Sequence, residues 1–195
     1  MRSWIKNYLE THRKVIESIP IEKIDKLLTL FSKANQEERQ IFIFGNGGSA
    51  ASASHFATDL GKGASDKVSR RFKCFSLNET AAWMTAIGND YSYEDIFVHQ
   101  IKNYAKPGDI VFTMSVSGNS PNLVKAIDWA NTEGLHTIAL VGGKRGRLAE
   151  IASHVVVIDS THYGHVEDAH MLIVHLLCYA FMENPQLIDT ETLIC

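Results

Sequence analysis

Two short segments rich in glycine and serine carry the clearest chemistry in the sequence: GNGGS at 45–49 and SVSGNS at 115–120. Each follows an apolar run that reads as a buried strand, IFIF or VFTM, and each leads into a helical pattern. In open parallel sheets ligands sit at the carboxyl ends of the strands. Helix N-termini expose unpaired N–H groups and partial positive charge, which suits phosphate. Gly47, Gly48 and Gly118 let the backbone approach a ligand closely, and Ser115, Ser117 and Ser120 add hydroxyl donors without bulk. A plainer reading is that the serines and asparagines only cap helices and the glycines only make turns. Two such loops after two buried strands favour a site, with the serine loop as a phosphate grip. GNGGS lacks the GxGxxG spacing and no GK[ST] follows SVSGNS, so a nucleotide cofactor is not expected.

A second set of residues could do proton or metal chemistry. His55 and Asp59 are four apart in the helical stretch after GNGGS and share one face. The segment GHVEDAHMLIVH carries Glu167, Asp168, His170 and His175. Two histidines and two carboxylates, two ligands from each helix, could build a tetrahedral zinc site. They could instead act as acid and base. Glu167 and His175 are eight apart, about 80° around a helix, and Asp168 and His175 seven apart, about 20°. Spacing alone therefore slightly prefers Asp168 as the partner of His175. Read blandly, His175 is a packed core histidine and His55–Asp59 a hydrogen bond along a helix. His12, His99, His136, His154, His162 and His165 show no comparable pairing and read as surface or packing residues. Asn89–Asp90, after a helical stretch, reads either as a turn or as a polar pair at the rim of a site.

The elements that must position these groups follow from periodicity. Residues 2–18 and 21–34 are amphipathic helices separated by Pro20. Strands are expected at 41–45, 72–76, 109–114, 136–141 and 154–159. Helices are expected from the glycine turn to residue 60 and at 79–87, 119–133, 146–151 and 166–182, with 61–71 a flexible loop. Alternating strands and helices predict a parallel sheet covered on both faces. The two leading helices precede the first strand and are expected to pack elsewhere, on a second copy of the chain.

Composition narrows the class. At 195 residues one α/β domain with a sizeable core is expected. A formal net charge of −3 provides no global field for nucleic acid or an anionic membrane, so an anionic ligand must be held by local groups. The three cysteines, Cys74, Cys178 and Cys195, form no CxxC pair and suggest neither a disulfide framework nor a zinc ribbon. A reducing cytoplasm fits that usage, and the charged N-terminus does not read as a signal peptide. The longest apolar-rich segment, 171–182, is too short to span a bilayer.

Four segments in order, GNGGSAASASHFATDL (45–60), AIGNDYSYEDIF (86–97), SVSGNSPNLVKAI (115–127) and VEDAHMLIVH (166–175), resemble the sugar isomerase (SIS) domain and specifically the phosphoheptose isomerase family. The resemblance runs from the leading helices to about residue 182. It implies a doubly wound five-stranded parallel sheet in a single SIS domain over 1–195, with residues 1–36 as oligomerisation helices of a homotetramer whose sites lie at subunit interfaces. It implies interconversion of D-sedoheptulose 7-phosphate and D-glycero-D-manno-heptose 7-phosphate, feeding heptoses into bacterial lipopolysaccharide or capsule. Ser115, Ser117 and Ser120 match the family's phosphate-binding serines, with the Val116 backbone between them. Asn46, Gly47 and Gly48 match the substrate-contacting turn, and Asn89 and Asp90 a second substrate contact. His55 and His175 match zinc ligands, and His175 also a catalytic acid/base.

Two positions depart from the pattern. Asp59 falls where the family usually has a glutamate that binds zinc and acts as base, and Glu167 where it usually has a glutamine ligand that also meets substrate. Asp59 is shorter by one methylene and Glu167 adds a charge, so the pair reads as compensatory, and either carboxylate is a candidate base. The expected chemistry is an enediol isomerisation with Zn2+ as cofactor, His175 moving protons on the sugar oxygens and the serine loop anchoring the remote phosphate. Two other classes fit an SIS domain: a non-catalytic protein that binds phosphosugar or a replication initiator, and a sugar-phosphate sensor. The presence of His175 favours the enzyme over the first, and the lack of room for a DNA-binding domain argues against the second.

Overall fold

The computed structural model describes residues 1–189. Cys195 lies outside them. Two helices lead the chain, α1 (Arg2–Glu17) and α2 (Ile21–Gln36). Strands β1 (Gln40–Gly45), β2 (Lys73–Ser76), β3 (Ile110–Ser115), β4 (His136–Val141) and β5 (His154–Val157) then alternate with α3 (Gly48–Thr58), α4 (Ala81–Asp90), α5 (Val98–Lys102), α6 (Pro121–Thr132), α7 (Leu148–Ile151) and α8 (Tyr163–Glu183). The five strands form one parallel sheet in the order β2-β1-β3-β4-β5. The order reverses between β1 and β3, the switch point where a crevice opens beyond the carboxyl ends. Gly45 pairs with Met114 at that edge, so the glycine turn and the serine loop leave the sheet side by side.

Side chains alternate across each strand and build a core on both faces. Ile41, Ile43, Ile110, Phe112 and Met114 pack with α2, α3 and α8. Phe42, Phe44, Val111, Ala139 and Val141 pack on the other face with α6 and the short α5 and α7. This two-sided burial is why the strands read as unbroken apolar runs.

Three findings revise the sequence expectations. First, α2 does not pack elsewhere: Ile24, Leu27, Phe31 and Ala34 are buried in this chain's own core. Only α1 stands off it, with Val15 its one buried residue and Trp4, Ile5 and Leu9 exposed. It leans on α8 through rings, Tyr8 meeting buried His165 at 4.3 Å between centroids, which bears out the packing role of that histidine. Second, the expected flexible loop begins later, because residues Asp59–Ala64 continue α3 as a π-helical turn. Such wider turns concentrate at functional sites. Third, α4 runs on to Asp90 and α8 starts at Tyr163, so Asn89 and Asp90 end a helix and Glu167 lies in the second turn of one.

Candidate active site

The serine loop leaves β3 at buried Ser115, whose Oγ accepts from the Gly118 amide at 3.1 Å. Ser117 Oγ accepts from the Asn119 amide at 3.3 Å. Gly118 holds φ +67°, the left-handed region that favours glycine. Ser120 caps α6 in an extended conformation with no side-chain bond to the helix, followed by Pro121 in the first turn. Its hydroxyl is therefore available to an anion, whereas Pro121 has no N–H and the Leu123 and Val124 amides donate to the Ser120 carbonyl.

The glycine turn faces this loop. Gly47, at φ +54°, precedes α3, and a reciprocal amide pair ties the two loops together: Asn46 Nδ2 donates to Asn122 Oδ1 and Asn122 Nδ2 to Asn46 Oδ1, each at 2.9 Å. Between the loops lies a cavity of about 260 Å3 lined by Asn46, Gly47, Gly48, Ser115, Val116, Ser117, Ser120, Tyr163 and Glu167, among others. The Glu167 carboxylate lies against Gly48 so closely that a Cβ there would stand 2.8 Å from Oε1. Asn122 and Tyr163 were not foreseen. Asn122, second in a helix after Ser-Pro, carried a weak signal as a capping residue, and Tyr163 carried none.

The second cluster is on neighbouring turns of α3 and α8. His55 Nε2 lies 3.0 Å from Asp59 Oδ2 and 3.1 Å from His175 Nε2, and His175 Nε2 lies 3.9 Å from the same Asp59 oxygen. Two imidazole nitrogens and a carboxylate oxygen thus converge on one point. Ligand atoms on a tetrahedral zinc ion, with bonds of about 2.0–2.1 Å, stand roughly 3.3 Å apart, which matches this triangle. A divalent cation fits the donors, and three ligands leave a fourth position open. Asp59 reaches the triangle despite its shorter side chain, from the first residue of the π-helical turn. Asp59 Oδ1 makes no hydrogen bond among the described residues.

Glu167 is not in that triangle. It lies about 12 Å up α8 from His175, at 1.5 Å per residue, and belongs to the cavity between the two loops. Asp168, which spacing preferred as the partner of His175, is exposed and lines no part of that cavity. Asn89 and Asp90 are also exposed, with Asn89 Nδ2 donating to Asp90 Oδ1 at 2.9 Å, and Asp90 lines a separate concavity beside Trp83 and Tyr91. Burial excludes other chemistry. The Cys74 thiol is pushed up to about 12 by desolvation and Cys178 is raised for the same reason, so neither is a thiolate nucleophile near neutrality. Desolvation pushes His170 down to about 4, so it stays neutral inside α8.

The SIS-domain family model matches residues 3–142. The chain is 37% identical to a phosphoheptose isomerase of Geotalea daltonii over 177 residues, 89% of this chain and 92% of that one. It is 36% identical to a probable phosphoheptose isomerase of Thermoplasma acidophilum over 173 residues, 89% of this chain and 94% of that one. Among solved structures, phosphoheptose isomerase GmhA from Neisseria gonorrhoeae superposes with a TM-score of 0.85 at 25% identity, covering 93% of this chain and 98% of that one. Among the described residues no helix is long and apolar enough to cross a membrane.

Proposed function

Since the chain belongs to the SIS-domain family and is a phosphosugar isomerase of the phosphoheptose isomerase kind, we propose that it interconverts D-sedoheptulose 7-phosphate and D-glycero-D-manno-heptose 7-phosphate through an enediol. One observation carries the assignment: the glycine turn, which shares a cavity with the serine loop, and the His55–Asp59–His175 triangle lie at opposite ends of α3, about 10 Å apart by helix rise from Gly48 to His55. An extended seven-carbon chain ending in a phosphoester spans roughly 10 Å from C1 to phosphorus, eight bonds advancing about 1.2 Å each. With the phosphate in the serine loop, C1 and C2 come to the triangle.

His55, Asp59 and His175 would hold the cation, Zn2+, which would supply Lewis acidity to the sugar's carbonyl and hydroxyl oxygens. Asp59 turns Oδ2 to the histidines and keeps Oδ1 as the base that takes the proton from C1 and returns it at C2. Moving one proton between adjacent carbons while the oxygens exchange theirs balances the reaction. His175 orders that exchange at the sugar oxygens. Glu167, Asn46, Gly47 and Gly48 hold the middle of the sugar, and Ser115, Val116, Ser117 and Ser120 hold the phosphate, whose binding energy positions the reacting carbons.

The assembly proposed is a cytoplasmic homotetramer joined through α1, whose exposed Trp4, Ile5 and Leu9 form an apolar stripe. Asn89 and Asp90, outside this chain's cavity, would then meet substrate from a neighbouring subunit. The product class suits heptose supply for surface polysaccharide.

Turnover of sedoheptulose 7-phosphate in heavy water is expected to place deuterium at C2 of the aldose. Exhaustive chelation is expected to lower the rate at least about tenfold, with recovery on adding zinc. No label at C2 with zinc saturating would overturn the isomerase assignment and favour a binding protein.

A further inference from the structure

The phosphate-side cavity has one notable electrostatic property. Its lining includes the Glu167 carboxylate but no lysine or arginine, and the whole chain carries a net charge of −3. The hydrogen-bond donors that this cavity offers a phosphate dianion are neutral hydroxyls and amides. A positively charged turn follows β4. There a concavity of about 480 Å3 is lined by Lys144, Arg145, Arg147, Glu150 and Asn119, the last belonging to the serine loop itself.

This turn is locked to the phosphate grip. Arg147 N donates to Asn119 Oδ1 at 2.8 Å, Leu148 N to the Gly118 carbonyl at 2.9 Å, and Gly142 N to the Val116 carbonyl at 3.2 Å. Arg145 holds φ +63°, an uncommon conformation for a residue with a Cβ, and its carbonyl lies against Gly118. The cations are therefore held on a fixed backbone rather than on a free loop. Glu150 pairs with Arg147 at 2.8 Å, while Lys144 and Arg145 make no ion pair among the described residues.

We infer that Lys144, Arg145 and Arg147 form an outer anion subsite that captures the phosphate monoester of the incoming sugar and steers it into the serine loop. This rests on the phosphosugar reading above and adds the residues that supply the missing positive charge. Charges focused at the mouth of a cleft raise capture rates by about 10- to 1,000-fold, and salt removes the effect.

The test compares wild type with Lys144→Ala/Arg145→Ala and, separately, Glu150→Gln. At low ionic strength the double variant should lower kcat/KM for sedoheptulose 7-phosphate about 5- to 20-fold with kcat close to wild type. The gap should shrink below about twofold near 0.5 M salt, where the screening length is only a few ångströms. Glu150→Gln, which removes the opposing charge, should raise kcat/KM at low salt. Inorganic phosphate affinity, read by calorimetry at both salt levels, should follow the same pattern without requiring turnover. If wild type binds phosphate in this pattern but does not isomerise the sugar, the function assignment fails and the subsite stands. No loss at low salt, or an equal loss at both salts, would overturn the subsite.

Discussion

Asp59→Asn is expected to lower kcat by about 100- to 10,000-fold, the range for removing a positioned base, while leaving phosphate affinity near wild type. The substitution keeps the shape of the side chain and removes only its charge. Glu167→Gln, which installs the residue the family usually has, is expected to act mainly on KM and to leave kcat within about tenfold. The difference follows from position. Asp59 Oδ2 is 3.0 Å from His55 Nε2 in the triangle, whereas Glu167 lies over Gly48 at the other end of α3. Both variants should be assayed with zinc saturating and metal content measured, because Asp59 is also a proposed cation ligand. A collapse of kcat in Glu167→Gln with Asp59→Asn nearly active would transfer the base to Glu167. Little effect from either would refute both roles.

Gly118→Ala should be the most damaging small substitution in the phosphate grip. Its φ of +67° costs an alanine about 1–2 kcal/mol, and its Cβ would stand 2.0 Å from the Arg145 carbonyl oxygen. Backbone cannot yield that much without breaking the Leu148–Gly118 hydrogen bond and opening the loop. A total loss of about 3 kcal/mol or more is expected, lowering Tm by roughly 6–12 °C. Affinity for inorganic phosphate should fall at least about tenfold, the equivalent of 1.4 kcal/mol. Gly134→Ala is the control. It has φ +74°, yet the nearest atom to its Cβ is Pro107 Cβ at 3.8 Å. It should pay only the conformational penalty, about 1–2 kcal/mol, with phosphate binding intact. Equal losses in the two variants would show that the close approach at Gly118 contributes nothing.

These two experiments probe features of unequal visibility. The serine loop could be read directly as a turn between a buried strand and a helix, because those are local patterns. Asp59 and His55 could be paired because four residues make one helical turn. The choice between Glu167 and Asp168 could not be made. Spacing gives an angle around α8 but not which side of α8 faces α3, and that facing places Glu167 on Gly48 and turns Asp168 to solvent.

The sequence by itself determined the alternation of strands and helices, the burial of the sheet on both faces, the glycine and serine turns and the residue types available for metal and proton chemistry. All of these depend on periodicity or on contacts within a few residues. Only the tertiary structure decided that β1 and β3 are neighbours, that Asn46 and Asn122 join their loops, and that α2 belongs to the core. It also decided that His55, Asp59 and His175 converge while Glu167 stands apart, and that the Lys144–Arg147 turn is bonded to the serine loop. Each of these joins residues distant in the chain, and such contacts are fixed by how whole elements pack rather than by the residues beside them.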